Sequence, residues 1–95
     1  MAVRLVVTFM AQPGKGEAFA DAFAPVIKEV HQEEGCEQYE LFRGAENPDK
    51  LVLLERWTSA EDLDAHMELM RARGPSPTAE FRAEGFAPSL ERYEV

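Results

Sequence analysis

Three residues that could carry acid–base and ring-binding chemistry lie close together in the chain: Glu55, Trp57 and His66. A histidine titrates near neutral pH and can act as a general base. A tryptophan can pack its indole against another ring, and a carboxylate can orient an imidazole by a hydrogen bond. The combination predicts a small-molecule site, with His66 and Glu55 as candidate catalytic residues and Trp57 as a candidate substrate contact.

The segment that carries the histidine has the signature of a helix. Thr58 or Ser59 can cap its first turn, and acidic residues three positions further on can complete a capping box. We expect the helix to run to about Met70. Its apolar stripe, spaced for one buried face, consists of Leu63, His66, Met67 and Met70. The imidazole is therefore expected to face the interior.

The strand before this helix gives the other two residues their direction. Side chains alternate along a strand, so Glu55 and Trp57 share the face of Leu51 and Leu53. A buried imidazole needs hydrogen-bond partners, and Glu55 is the candidate partner for His66. The residues alone leave a structural role open for both aromatic rings, because histidines on apolar stripes and large aromatics commonly serve the core.

Other residues are expected to line the same pocket. The segment 71–88 is broken by glycine and prolines and is expected to lie over the sheet as a functional loop. Arg71 and Arg73, in or beside it, could hold an anionic group at the pocket mouth, or could simply be solvated. The remaining candidate substrate contacts are Tyr39, Phe9, Met67, Met70 and Phe81, of which the first could equally lie at a dimer seam. No metal-binding spacing is present, and no metal site is predicted.

The elements that must position these residues form two strand–helix–strand halves. Strands are predicted over 3–11, 36–43, 50–58 and 89–95, and helices over 17–34, from 58 or 59 to about Met70, and briefly within 78–84. The order β-α-β-β-α-β is the ferredoxin-like pattern, an α+β fold with an antiparallel sheet and helices on one face. The length predicts a single domain over residues 1–95.

The sheet face opposite the helices is too apolar for a surface in water. Val6 and Met10 on the first strand, and Val52 and Leu54 on the third, point away from the predicted helices. A continuous apolar patch on a small chain marks an interaction surface, and a second copy of the chain is the simplest partner. The sequence therefore predicts a homodimer through the sheet face.

Composition excludes several classes of partner. The formal net charge is −8, with 18 acidic against 10 basic residues, which disfavours nucleic acid and anionic membrane surfaces. No apolar run approaches the roughly 20 residues needed to cross a bilayer, and the start lacks a signal-peptide pattern. The single cysteine, Cys36, excludes an internal disulfide and fits a reducing compartment, so we expect a cytoplasmic protein.

Three stretches resemble a known family. "PGKGEAF" after the first strand, "EEGCEQYELFR" into the second, and "LLERWTSAEDLDAH" are similar to the antibiotic biosynthesis monooxygenase domain family, including its quinol-monooxygenase-like bacterial members. The likeness covers about residues 3–70. It implies a dimeric α/β barrel with sheets packed face to face and a pocket between sheet and helices. By this resemblance Trp57 and His66 fall on the family's recurrent tryptophan and histidine, and Glu55 on its strand-three glutamate.

The resemblance also implies a range of activities. It favours a monooxygenase without metal, flavin or other cofactor, acting on a phenol or quinol, with His66 as base, Glu55 as its orienting group and Trp57 stacked on the ring. One alternative is an isomerase or binding protein for a small anionic, phosphorylated metabolite, held by Arg71 and Arg73. Another is a dimeric binding module without catalysis. Haem-degrading relatives use a strand-one asparagine that is absent here, which argues against that activity.

Overall fold

The four strands form one antiparallel sheet in the computed structural model, which describes residues 1–95. The strands are β1 (Val3–Met10), β2 (Cys36–Arg43), β3 (Lys50–Trp57) and β4 (Ser89–Glu94). The helices are α1 (Gly16–Val30), α2 (Ala60–Arg73) and a short 3-10 helix (Ala79–Phe81). The strand order is β2-β3-β1-β4, with every neighbouring pair antiparallel. This confirms the predicted ferredoxin-like β-α-β-β-α-β fold.

The core lies between one face of the sheet and α1. Alternate residues of β1 and β3 are buried, as period-two apolar strands require. The helix contributes a stripe with steps of three and four residues, formed by Phe19, Phe23, Val26 and Val30. Burying a side chain as large as Phe19, which is completely enclosed, stabilises the fold by about 2–3 kcal/mol. This core holds β3 and β2 in place beneath α2.

The first helix ends earlier than the sequence predicted, at Val30 rather than residue 34. Its continuation tightens, because the Glu33 N–H donates to the carbonyl of Val30 only three residues back, at 2.9 Å. Gly35 then turns the chain with φ of +81°, and a Cβ there would meet the Asp62 carboxylate at 2.3 Å. The result is a tight turn that packs directly against the start of α2.

The second helix extends beyond the predicted end. It begins after Ser59, whose hydroxyl accepts the N–H of Asp62 at 3.2 Å, and it ends at Gly74, where φ is +86°. Arg71 and Arg73 therefore belong to the last turn of α2 and not to a loop, which corrects the predicted boundary near Met70. Cationic side chains there complement the helix dipole.

The segment after α2 is attached to the far end of β1, not over the tryptophan. The N–H of Gln12 donates to the carbonyl of Phe81 at 2.8 Å, and the N–H of Ala83 donates to that of Met10 at 2.9 Å. Trp57 pairs with Val3 at the opposite end of β1. The expectation that segment 71–88 covers the tryptophan is therefore wrong, because backbone hydrogen bonds hold 81–83 at the other end of the sheet.

Neither α1 nor α2 covers the second face of the sheet. Val6, Met10, Val52 and Leu54 are only half-buried, and Phe42 on the edge strand β2 is 46% exposed. Their direction matches the parity argument from the sequence.

Neither helix combines the length and apolar character that crossing a membrane requires.

Candidate active site

Four of the predicted site residues meet at one end of the helix-covered sheet face. Trp57 is completely buried, and His66, Tyr39 and Glu55 are 2%, 3% and 5% exposed. Polar side chains this deeply buried are uncommon unless they are paired. Their convergence marks this cluster as the candidate active site.

The fold brings these four residues together by strand register and helix position. Tyr39 on β2 lies directly opposite Glu55 on β3, with both side chains on the helix-covered face. Trp57 follows two residues later on the same face. His66 projects from α2 toward this face of the sheet. Leu63 and His66 are the only buried residues of α2.

The two central rings pack directly on each other. The centroids of Trp57 and His66 are 4.5 Å apart with their planes tilted by 31°, and Tyr39 meets the imidazole edge-on at 5.4 Å. The sequence predicted a substrate ring stacked on the indole. In this structure the imidazole itself occupies that position, because α2 seats His66 against β3.

The carboxylate that hydrogen-bonds the imidazole is Glu33, which the sequence interpretation missed. Its Oε1 lies 2.9 Å from Nδ1 of His66, and both side chains are largely buried. Glu55, the predicted partner, lies 3.9 Å from Nε2, which is too long for a hydrogen bond. A signal for Glu33 was present, because it continues the buried stripe of α1 three residues beyond Val30.

Glu55 instead accepts the indole N–H. Trp57 donates to its Oε1 at 3.0 Å, within the buried interior. Burial raises the pKa of the Glu55 carboxyl above its ordinary value; the Trp57 hydrogen bond and the charge of His66 act in the opposite direction, and the charge of Glu33 adds to the rise. The carboxyl thus holds a proton to a higher pH than an exposed glutamate does.

The phenol of Tyr39 also stays protonated across the ordinary pH range. Burial raises the pKa of its hydroxyl far above the usual value, and the nearby charges of Glu55 and Glu33 raise it further. Burial, followed by the charges of Glu33 and Glu55, also raises the pKa of the Cys36 thiol. A thiol that resists ionisation is a poor nucleophile, so Cys36 does not supply the chemistry of this site.

Phe9 and Phe81 do not belong to the cluster. Phe9 pairs with Leu51, six residues along β3 from Trp57, which is a distance of about 20 Å at the rise of a strand. Phe81 lies at the same end of the sheet as Phe9, because its backbone carbonyl accepts the N–H of Gln12. The prediction that Phe9 and Phe81 contact the substrate is therefore corrected. Alternation along a strand shows which face of the sheet a side chain occupies, but not where along the strand it lies.

Met67 is also displaced from the predicted pocket, and its exposed fraction is 39%. At about 100° per residue, it lies about 70° round α2 from the midpoint of the buried pair Leu63 and His66, whereas Met70 lies about 10° from that midpoint. Met70 is accordingly half-buried and packs on the core. The buried stripe predicted for α2 therefore wrongly included Met67.

The two arginines are occupied by carboxylates. Arg71 pairs with Glu68 at 2.7 Å on the open surface of α2. Arg73 pairs with Glu29 of α1 at 2.7 Å, and its charge lies close enough to Tyr39 to lower the pKa of that phenol slightly against the larger rise. Each guanidinium has a carboxylate partner in an exposed ion pair, which contributes only about 0–1 kcal/mol, and the anion clamp stays a prediction.

A cleft of about 320 Å³ between α1 and β2 has Tyr39 in its lining, but neither Trp57 nor His66. Tyr39 is thus the one residue shared by the cleft and the buried cluster. No group of three or more histidine, cysteine, aspartate or glutamate side chains is arranged to hold a metal ion.

Comparison with known proteins identifies the family. Residues 2–73 match the family described as antibiotic biosynthesis monooxygenase. The chain belongs to that family. The Escherichia coli (strain K12) protein named "Probable quinol monooxygenase YgiN" is 30% identical over 74 residues, covering 67% of this chain and 71% of that protein. The resemblance drawn from the sequence motifs is thereby confirmed.

Solved structures share the fold of this chain. A conserved protein from Methanosarcina mazei Go1 superposes with a TM-score of 0.84 at 28% identity, covering 98% of this chain and 91% of that one. Rv0793 from Mycobacterium tuberculosis superposes with a TM-score of 0.80 at 23% identity, covering 100% and 95%. The second likeness concerns the fold alone.

Proposed function

We propose that the protein is a monooxygenase that oxidises a small electron-rich phenol or quinol at the buried cluster around His66. The observation that carries the proposal is the imidazole itself, which is 2% exposed, hydrogen-bonded at Nδ1 and packed on Trp57. Membership of the antibiotic biosynthesis monooxygenase family supports the reaction type. The name of the E. coli relative, a quinol monooxygenase, supports the substrate class.

The proposed reaction begins with proton transfer from the substrate hydroxyl to Nε2 of His66. The resulting phenolate passes one electron to dioxygen, superoxide then combines with the phenoxyl ring carbon that bears hydrogen, and the imidazolium returns its proton to the peroxide so formed. Loss of water from the hydroperoxide yields the quinone, so phenol and O₂ give quinone and H₂O. The substrate supplies all the electrons, and the protein supplies the base and a site that excludes water.

The neighbouring carboxyl and phenol suit this reaction. Burial raises the pKa of Glu55, which favours its uncharged form beside Nε2, and an uncharged carboxyl does not repel the phenolate formed there. Tyr39 remains a hydrogen-bond donor and is not a base, because its own pKa is raised. We propose that Trp57 orients Glu55 through the indole N–H and packs on the base.

The imidazole is only 2% exposed, so in this proposal α2 shifts enough to admit the substrate to Nε2 while the hydrogen bond between Glu33 and Nδ1 is kept. The helix is suited to such a movement, since only Leu63 and His66 of its residues are buried and little apolar area holds it to the sheet. Helix movements that admit a substrate and then exclude water are common in enzymes. This opening is part of the proposal.

We also propose that the 95 residues form one domain that pairs with a second copy through the open sheet face. The half-buried Val52 and Leu54, flanked by exposed Phe42, are suited to such an interface. The family resemblance supports a face-to-face dimer, and the single cysteine supports a cytoplasmic location. The isomerase and phosphate-binding alternatives receive no support, because both arginines they require are paired.

The test of the activity is oxygen uptake with a panel of naphthols and hydroquinones. We expect His66→Gln to lower turnover by about 100-fold or more, the scale for loss of a general base. The lost ring contact with Trp57 should cost only about 0.5–1.5 kcal/mol of stability. His31→Gln, at the exposed second histidine, is the matched control and should leave turnover unchanged. Equal turnover by both variants would refute the role of His66.

A further inference from the structure

We propose that Glu33 is a positioning residue that fixes the tautomer of His66, with the proton on Nδ1 and the lone pair on Nε2. The proposal deepens the function proposed above and rests on His66 acting as the base in that reaction. Glu33 itself does not contact the substrate in this scheme. Its role is to determine which nitrogen can accept the substrate's proton.

The geometry carries the assignment. The Glu33 Oε1 to His66 Nδ1 distance is 2.9 Å, and the two side chains are 12% and 3% exposed. A carboxylate only accepts hydrogen bonds, so the imidazole must donate from Nδ1. In the neutral ring the other nitrogen, Nε2, then carries the lone pair.

The second carboxyl is placed differently and cannot set the tautomer. Glu55 Oε1 lies 3.9 Å from Nε2 and already accepts the N–H of Trp57 at 3.0 Å. Nε2 is consequently free of a hydrogen bond from Glu55 and faces the side of the cluster formed by β3. The lone pair lies in the plane of the imidazole, on the side of the ring where Glu55 lies, while the indole packs on the face of the ring.

The backbone holds Glu33 in place before any substrate arrives. Its N–H donates to the carbonyl of Val30 at 2.9 Å, and its own carbonyl accepts the N–H of Cys36 at 3.3 Å. The turn closes through Gly35, where a Cβ would collide with Asp62 of α2. A side chain carried by so constrained a turn loses little entropy on pairing, which is the requirement for a preorganised site.

The experiment compares Glu33→Gln with Glu34→Gln, which removes the neighbouring exposed carboxylate. Long-range ¹H–¹⁵N spectra of the histidine rings, recorded where His66 is neutral, report which nitrogen carries the proton. The amide introduced at position 33 can present either its oxygen or its nitrogen, so the preference for one tautomer should disappear. We expect only the Nδ1–H form in the wild type and in the control, and a mixed or Nε2–H form in Glu33→Gln.

The kinetic readout is the split between kcat and KM for a phenolic substrate. Glu33→Gln should lower kcat by about 10- to 100-fold and leave KM within about two-fold, since base orientation matters in the transition state and not in binding. Glu33→Asp keeps the carboxylate and should retain the Nδ1–H form, so it separates loss of the acceptor from a general disturbance of the turn. The wild-type spectrum by itself tests the tautomer if the amide variant fails to fold.

An Nε2–H wild type, or an unchanged tautomer in folded Glu33→Gln, overturns the proposal. A tautomer change in chains that do not oxidise any phenol would support the positioning role and refute the oxygenase function, so the two failures are distinct.

Discussion

Removal of the indole N–H should destabilise the protein by leaving a carboxyl of the core without its donor. Trp57 is completely buried, and its N–H is 3.0 Å from Glu55 Oε1. Trp57→Phe forfeits this bond, at about 1–3 kcal/mol for an unsatisfied buried acceptor. The smaller ring also leaves unfilled space, which costs about 1 kcal/mol on the scale of small core deletions.

The sum is about 2–4 kcal/mol, a large fraction of the roughly 5–15 kcal/mol available to a small domain. For a chain of this length each kcal/mol lowers Tm by about 4–8 °C, so we expect a fall of about 8 °C or more. The control is the double variant Trp57→Phe with Glu55→Leu, in which the orphaned carboxyl is also removed. It should recover at least about 1 kcal/mol relative to Trp57→Phe alone.

Urea denaturation of the two variants measures both quantities directly. A loss below about 1 kcal/mol in Trp57→Phe, or a double variant no more stable than the single one, would show that the hydrogen bond contributes nothing. In that case the indole would act only as core volume, and its proposed orientation of Glu55 would have to be abandoned.

Two further predictions concern pH and assembly. The raised pKa of Glu55 means that folding favours its protonated form, so its contribution is present at low pH and is lost as pH rises through the folded-state pKa. The Tm difference between Glu55→Gln and wild type should therefore increase from about pH 4 to about pH 8; a constant difference would contradict the burial argument. Leu54→Asp should dissociate or unfold the proposed dimer in sedimentation experiments, because it places an unpaired charge in the interface. Leu69→Asp, on the exposed surface of α2, should not, and a wild-type monomer at high micromolar concentration would refute the dimer.

The fold could be predicted because local signals and burial agree along the chain. Strand parity sorted the residues of β1 and β3 into two faces, and a cap at Thr58 or Ser59 marked the start of α2. The candidate cluster of Glu55, Trp57 and His66 followed from the same parity and helical spacing. The strands and helix faces could therefore be assigned without a structure.

What escaped prediction depended on positions along an element and on turn geometry. Phe9 shares the face of Trp57 but lies at the opposite end of the sheet. Glu33 reaches His66 only because α1 ends early and the following turn folds back toward α2. Met67 lies at the margin of a stripe whose width is set by how α2 rests on the sheet. Spacing could place Glu33 on the buried stripe of α1, but its contact with His66 and the positions of Phe9 and Met67 depend on tertiary packing.

In the proposed reaction, this cluster inserts one oxygen atom from O₂ into a phenolic substrate with His66 as the base. Mass spectrometry of the quinone formed under ¹⁸O₂ tests it most directly, in wild type and in His66→Gln at equal protein concentration. We predict one ¹⁸O atom per quinone in the wild type and product formation lower by about 100-fold in the variant. A quinone without the label, or equal labelled product from both chains, would contradict the account.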